Sequence, residues 1–105
     1  HQLHYSAAKA GVISLTNNLA YMWAKHNINV NCILPGLIAT DELKSYGIIP
    51  SATDPDGKPV PRLELTPDPE NVADLAVFLA SSAADALTGE QYPIRAWLKS
   101  ERFWQ

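Results

Sequence analysis

The chain has a single cysteine, no long hydrophobic run and little net charge. These features argue, in that order, against disulfides and thiolate metal clusters, against a membrane span and against nucleic-acid binding. With Cys32 as the only thiol, neither an intrachain disulfide nor a thiolate metal cluster can form, which favours a reducing, cytoplasmic location. No apolar run approaches the ~20 residues that cross a bilayer, so we expect no membrane partner. A formal net charge of -3 gives no reason to expect nucleic acid, whose phosphates attract a basic patch.

The composition is that of a globular protein of at most one domain. Hydrophobic residues make up 47% of the 105 positions and charged residues 18%. The first residue is His1, and the only methionine, Met22, lies within a helical pattern, so we expect the chain to be part of a longer protein. His1 and His4 lie three positions apart without a third candidate ligand nearby, so we predict no metal site.

Two segments have the periodicity of amphipathic helices. The first runs from about Tyr5 to Lys25, and the second follows Asp68, a predicted N-cap, with Pro69 at the first helical position and an end near residues 81–84. The predicted buried stripes are Ala8, Val12, Leu15, Leu19, Met22 and Trp23 in the first helix, and Val72, Leu75, Ala76 and Leu79 in the second.

Two further segments alternate as strands do. Residues 27–34 alternate apolar side chains with asparagine before Pro35-Gly36, and residues 91–97 form a final strand in which Pro93 indicates a sheet edge. Helix, strand, helix, strand is a portion of a parallel α/β sheet. Because two strands would leave a sheet edge open and helix stripes exposed, we expect this fold to be incomplete on its own.

An irregular stretch from Thr40 to Pro67 separates the first strand from the second helix. It contains five prolines, the turn signal Asp54-Pro55-Asp56-Gly57 and a possible short helix at residues 41–46. A loop of this length in a compact domain is typically a lid, a binding segment or disordered.

Several motifs occur together in one order. Tyr5-Ser6-Ala7-Ala8-Lys9 is a Tyr-x-x-x-Lys run, and residues 35–40 read Pro-Gly-x-x-x-Thr. With residues 69–73 and Thr88-Gly89-Glu90, they resemble the carboxyl-terminal part of the short-chain dehydrogenase/reductase family. The resemblance implies the carboxyl-terminal portion of a doubly wound, Rossmann-type α/β fold, with residues 1–105 in one domain, 37–67 as a substrate loop and 98–105 as a tail.

The resemblance also implies a nicotinamide-dependent oxidoreductase that moves hydride between NAD or NADP and a small carbonyl or alcohol. Tyr5 would exchange a proton with the substrate oxygen, and Lys9, on the same helix face, would assist Tyr5 and bond the nicotinamide ribose. The backbone of Ile38 would contact the carboxamide. The implied cofactor-binding residues are Tyr5, Lys9, Pro35, Gly36, Ile38 and Thr40. The family commonly forms homo-oligomers, with the first helix at an interface.

These residues also depart from the family. They contain no glycine-rich phosphate loop and neither the serine nor the asparagine that precedes the tyrosine in the family, and residues 94–97 read Ile-Arg-Ala-Trp in place of Asp-Gly-Gly. We therefore expect the chain alone to be inactive and to need the amino-terminal half of the fold. The alternative is a non-catalytic remnant that binds a partner or oligomerises through its first helix and aromatic tail, with Phe103 and Trp104.

Overall fold

A computed structural model describes residues 2–97, and the fold is given for that part of the chain. The helices and strands are α1 (Gln2–Trp23), β1 (Cys32–Pro35), α2 (Asp41–Ser45), α3 (Pro69–Leu79) and β2 (Gln91–Ile94). Short 3-10 turns cover Ala24–His26, Arg62–Glu64 and Ser82–Ala84. None of the helices in residues 2–97 has the length and apolar character that crossing a membrane requires. The predicted tail, residues 98–105, lies outside the described residues.

The two strands form a parallel sheet. Cys32 N–H donates to the Glu90 carbonyl oxygen at 3.0 Å, and Gly36 N–H donates to the Ile94 carbonyl oxygen at 2.8 Å, so both strands advance in the same direction. Within residues 2–97 each strand has one neighbour, which suits Pro93, since proline cannot donate to a second strand. The predicted α/β class with a parallel sheet is confirmed.

The described chain divides into two compact units, and the first consists of residues 2–34 and 74–93. In this unit α1 packs through small side chains. Thr16 and Ala20 are buried, and a Cβ built at Gly89 would lie 3.4 Å from the Ala20 Cβ. Gly89 has φ +73, a left-handed conformation that glycine adopts without strain. A narrow face of α1 therefore lies close to the turn before β2.

The buried face predicted for α1 is wrong. Val12, Leu15 and Met22 are more than half exposed, whereas Thr16 and Ala20 are buried. The periodicity located an apolar stripe, but within residues 2–97 nothing covers that stripe. The helix instead approaches the turn through residues small enough to allow close contact. The exposure of the stripe does agree with the separate expectation that a fold with only two strands leaves apolar helix stripes uncovered.

The strand β1 begins later than predicted because the asparagines before it end the 3-10 turn or bond to the 85–88 turn. Asn27 has φ 62 and ends the 3-10 turn that follows α1. Asn29 Nδ2 donates to the carbonyl oxygens of Asp85 and Leu87 at 2.8 and 2.7 Å, and Asn31 Nδ2 donates to the Leu87 carbonyl oxygen at 2.9 Å. These side chains hold the segment against the 85–88 turn, so regular pairing starts only at Cys32.

We expect Asn29→Ala to lower the free energy of unfolding of the protein by about 1–2 kcal/mol, since the Asp85 carbonyl oxygen loses its amide donor and the Leu87 carbonyl oxygen keeps only that of Asn31. Urea unfolding followed by circular dichroism measures the effect. Asn17→Ala is the matched control: Asn17 is exposed on α1, and its side chain makes no hydrogen bond to another residue of 2–97. Equal stability of the two variants would contradict the role of Asn29.

The second unit consists of residues 35–73 and the described residues 94–97, and the irregular stretch has local order. The predicted turn at residues 54–57 is present: Asp54 Oδ1 accepts from Asp56 N–H at 2.9 Å and from Lys58 N–H at 2.8 Å, and Gly57 has φ +81. Thr53 and Pro59 form an antiparallel bridge beside it. The loop therefore contains a small hairpin.

The helix α3 begins at Pro69, as predicted, but its cap differs from the prediction. Asp68 makes no side-chain hydrogen bond with the rest of residues 2–97. Instead, Asn71 Oδ1 accepts the Asp68 N–H at 2.8 Å and also a hydrogen bond from Arg62 Nη2 at 2.6 Å. Asn71 thus ties the start of α3 to the preceding 3-10 turn.

Candidate active site

The candidate catalytic pair lies on the first turns of α1. Tyr5 and Lys9 are four residues apart, which puts both side chains on one helix face. Tyr5 is 52% exposed and Lys9 is exposed. Neither side chain makes a hydrogen bond with any other residue of 2–97. The phenol and the ammonium group therefore both keep their hydrogen-bonding capacity for a ligand.

The second unit contains the loop after β1. Gly36 in this loop lies close to another part of the chain, which the sequence did not reveal. Gly36 N–H donates to Ile94, and a Cβ built at Gly36 would lie 2.9 Å from the Arg95 Cβ. A side chain at position 36 would therefore force Arg95 to move. Pro35 is the last residue of β1 and is exposed.

The same loop presents a backbone donor and a hydroxyl. Within residues 2–97 the Ile38 N–H donates to no acceptor, while the Ile38 carbonyl oxygen accepts from Thr40 N–H at 2.8 Å. Ala39 is buried, and its N–H donates to the Pro67 carbonyl oxygen at 2.8 Å, which fixes the loop next to Ile38. An N–H held in this way suits a carbonyl or carboxamide oxygen.

Thr40 has a structural role that the sequence analysis missed. Its Oγ1 accepts from Leu43 N–H at 3.2 Å, which makes it the N-cap of α2. The signal was present, since threonine followed by Asp41-Glu42 is typical of a helix start. The hydroxyl hydrogen of Thr40 remains able to donate to a ligand.

Residues 94–97, which stand where the family has Asp-Gly-Gly, connect the end of β2 to the irregular stretch of residues 40–67. Trp97 N–H donates to the Leu63 carbonyl oxygen at 2.8 Å, and the Arg95 guanidinium carbon lies 4.9 Å from the centroid of the Trp97 ring. That distance is typical of a cation–π contact. This backbone bond is why β2 ends at Ile94 and does not continue to Trp97 as predicted.

The chemistry open to these groups follows from their donors and acceptors. A phenol can give or accept a proton, and a nearby ammonium stabilises a phenolate and can donate to hydroxyl groups. The Ile38 N–H can bind an amide oxygen. The described part of the chain contains no group of three or more His, Cys, Asp or Glu side chains arranged to hold a metal ion.

Comparison with known proteins places these features in one family. The family model that matches residues 1–95 is described as enoyl-(acyl carrier protein) reductase. The chain is 40% identical over 89 residues to the 3-oxoacyl-[acyl-carrier-protein] reductase of Vibrio harveyi, covering 85% of this chain and 35% of that protein. It is 42% identical over 93 residues to the 2-dehydro-3-deoxy-D-gluconate 5-dehydrogenase of Escherichia coli, covering 81% and 33%.

A solved structure gives the same result. The crystal structure of a 3-oxoacyl-[acyl-carrier protein] reductase with bound NAD from Brucella melitensis matches with a TM-score of 0.62 and 30% identity. The match covers 87% of this chain and 31% of that one. The chain thus spans about one third of the length of the relatives it matches. With the match over residues 1–95, the chain belongs to the short-chain dehydrogenase/reductase family.

Proposed function

We propose that the chain forms the carboxyl-terminal, Tyr5-bearing part of an oxidoreductase that moves hydride between NAD or NADP and a carbonyl or alcohol. The observation that carries the proposal is the pair of Tyr5 and Lys9 on one face of α1, with both side chains free of other hydrogen bonds in residues 2–97. The relatives support it through their names, which are those of reductases and dehydrogenases, and one solved relative contains NAD.

The proposed step is a paired transfer of hydride and proton. In the oxidative direction the carbinol carbon loses a hydride and the hydroxyl group loses a proton, which Tyr5 Oη accepts; in the reductive direction Tyr5 Oη returns the proton to the oxygen. A nicotinamide cofactor, when bound, would supply the hydride chemistry. Lys9 stabilises the phenolate form of Tyr5 by its positive charge.

Cofactor binding is proposed for the same residues and for the loop after β1. Lys9 would donate to the ribose hydroxyls, beside Tyr5. The Ile38 N–H would donate to the carboxamide oxygen, and Thr40 would offer its hydroxyl hydrogen. Pro35 and Gly36 would bring the backbone of the loop close to the ring, since neither has a long side chain there.

A nicotinamide absorbance assay on the complete protein tests the proposal. We expect time-dependent oxidation of NADH or NADPH with a ketone, or reduction of NAD or NADP with the corresponding secondary alcohol. The rate should be proportional to enzyme concentration. The same protein without substrate is the control. Absence of turnover with both cofactors across a broad set of ketones and alcohols would contradict the proposed activity.

A second candidate function is favoured by the exposed apolar residues of α1. Val12, Leu15 and Met22 form an uncovered stripe within residues 2–97. Such a stripe suits contact with another protein surface, including a second copy of the chain. A protein without turnover that still assembles through this helix would be a non-catalytic interaction module.

A further inference from the structure

Three short segments of the second unit are joined pairwise by backbone hydrogen bonds into a closed set, the three-segment frame. The segments are residues 36–39, 63–67 and 94–97, which lie far apart in the sequence. The three bonds, each 2.8 Å long, run from Gly36 N–H to the Ile94 carbonyl oxygen, from Ala39 N–H to that of Pro67 and from Trp97 N–H to that of Leu63. Each segment is therefore bonded to the other two.

The first and third segments of the frame are in direct contact. A Cβ built at Gly36 would lie 2.9 Å from the Arg95 Cβ and 3.5 Å from the Ile94 carbonyl oxygen. Carbon atoms in contact are normally about 3.5–4.0 Å apart, so the backbone at Gly36 lies directly against residues 94 and 95. The path of the third segment therefore determines where the loop after β1 can run.

Ile38 lies in the first segment, between residues that are bonded to the other two. Gly36 is bonded to the third segment and Ala39, which is 4% exposed, to the second. The Ile38 carbonyl oxygen accepts from Thr40 N–H at 2.8 Å, whereas the Ile38 N–H donates to no acceptor within residues 2–97. This donor is held by bonds on both sides, so little freedom would be lost when a ligand oxygen accepts from it.

The side chains of the third segment hold that segment in its path. The Arg95 guanidinium carbon lies 4.9 Å from the centroid of the Trp97 ring, within the range of a cation–π contact. Arg95 lies against the first segment and Trp97 bonds to the second, so the contact joins both ends of the third segment. The Asp-Gly-Gly of the family has no aromatic ring that could make such a contact.

We propose that Trp97 is a positioning residue for cofactor binding: its contact with Arg95 keeps residues 94–97 in the three-segment frame, and the frame aims the Ile38 N–H at the nicotinamide carboxamide. Trp97 itself touches neither cofactor nor substrate. The inference rests on the proposed function but uses only its contact between Ile38 and the carboxamide, so every residue that it invokes lies in the second unit.

Two nucleotides that differ by the nicotinamide group test the proposal: NADH and ADP-ribose, or their 2′-phosphates. The dissociation constants of both are measured on the complete protein by isothermal titration calorimetry. We expect Trp97→Ala to raise the constant of NADH by roughly threefold to tenfold, the contribution of one hydrogen bond between neutral groups, and to leave that of ADP-ribose unchanged. A general loosening of the fold would weaken the binding of both nucleotides alike.

Two further variants separate the aromatic ring from the bulk of the side chain. Trp97→Phe keeps an aromatic face for the Arg95 guanidinium and should bind NADH nearly as the unsubstituted protein does. Trp97→Leu fills space without that face and should show the same selective loss as Trp97→Ala. It also decides the question if the alanine variant does not fold. Undiminished affinity of Trp97→Leu for NADH overturns the inference.

Trp23→Ala is the matched control. Trp23 and Trp97 are each 38% exposed, and Trp23 is the last residue of α1, in the first unit and outside the three-segment frame. We expect no change in either dissociation constant. A loss of NADH affinity as large as that in Trp97→Ala overturns the inference, since the effect would then follow the removal of any half-exposed tryptophan.

The unsubstituted protein distinguishes the inference from the proposed function. If it binds NADH more tightly than ADP-ribose and Trp97→Ala keeps that ratio, Trp97 has no positioning role and the proposed function stands. If it binds the two nucleotides equally, the carboxamide gains nothing from Ile38 and the inference is overturned. If it binds neither nucleotide nor their 2′-phosphates, the proposed function fails and the inference fails with it. A ratio that falls in Trp97→Ala and Trp97→Leu alone supports the inference.

Discussion

Tyr5→Phe should lower the turnover of the complete protein by about three orders of magnitude, within the ~10²–10⁴-fold that a positioned acid or base contributes. The substitution removes the only atom proposed to exchange a proton with the substrate oxygen and keeps the aromatic ring. Because the ring remains and Lys9 is untouched, the dissociation constant of the cofactor should change little. Steady-state kinetics and a fluorescence titration with NADH or NADPH measure the two effects.

Tyr21→Phe is the matched control for this variant. Tyr21 lies on the same helix, is 88% exposed, and its side chain makes no hydrogen bond with the rest of residues 2–97. Its loss should leave turnover unchanged. If both variants keep full activity, Tyr5 is not the proton-exchanging residue; if both lose it, the effect comes from the helix and not from the phenol of Tyr5.

Lys9→Met should lower kcat/KM by roughly 10²-fold, which is the size of effect that follows the loss of one charge-stabilising donor in an active site. Methionine keeps an unbranched side chain of similar length and removes the charge. Two changes should appear together: slower turnover, because the phenolate loses a neighbouring cation, and weaker cofactor binding, because the ribose loses a donor. The combination distinguishes Lys9→Met from Tyr5→Phe, which should affect turnover alone.

Lys25→Met is the control for the loss of positive charge. Lys25 lies in the 3-10 turn after α1, more than four helical turns from Lys9 at about 3.6 residues per turn, and carries the same side chain. Its replacement should leave both kinetic and binding constants unchanged. Normal cofactor affinity in Lys9→Met would contradict the proposed contact with the ribose.

Helices and turns were predictable where residues close together in the sequence determine them. Helix periodicity located α1 and α3, Pro69 marked the start of α3, and Asp54 to Gly57 marked a turn that Asp54 Oδ1 closes. Each of these features depends on residues within a few positions of one another. The order of elements then sufficed for the parallel α/β class, since a strand, a helix and a second strand connect in few ways.

Features that depend on distant residues could not be predicted. The sequence offered no sign that Asn29 would bond to the 85–88 turn, so residues 27–31 resembled a strand. The sequence also did not show that Gly36 packs against the Arg95 Cβ; its cofactor contact stays a prediction. The predicted buried face of α1 was wrong because burial depends on which surface approaches the helix, and hydrophobicity alone does not say which.

The roles of the site residues stay predictions. Tyr5 and Lys9 were found by their spacing on one helix, and the structure adds that their side chains are not engaged elsewhere in residues 2–97. The free N–H of Ile38 adds a donor that only a fold could reveal, because it depends on where Ala39 and Thr40 bond. Thr40 itself proved to be a helix cap, which the sequence analysis had overlooked.

The sequence separation that the bonds of Asn29 to the 85–88 turn span leads us to expect an order in which this structure forms. They join residues 56 and 58 positions apart in the chain. Closing a loop of that length costs about 3–4 kcal/mol of chain entropy by the usual logarithmic scaling. The helix α1, whose bonds are all local, nucleates without that cost. We therefore expect β1 to pair with β2 only after the distant turn has arrived, late in folding.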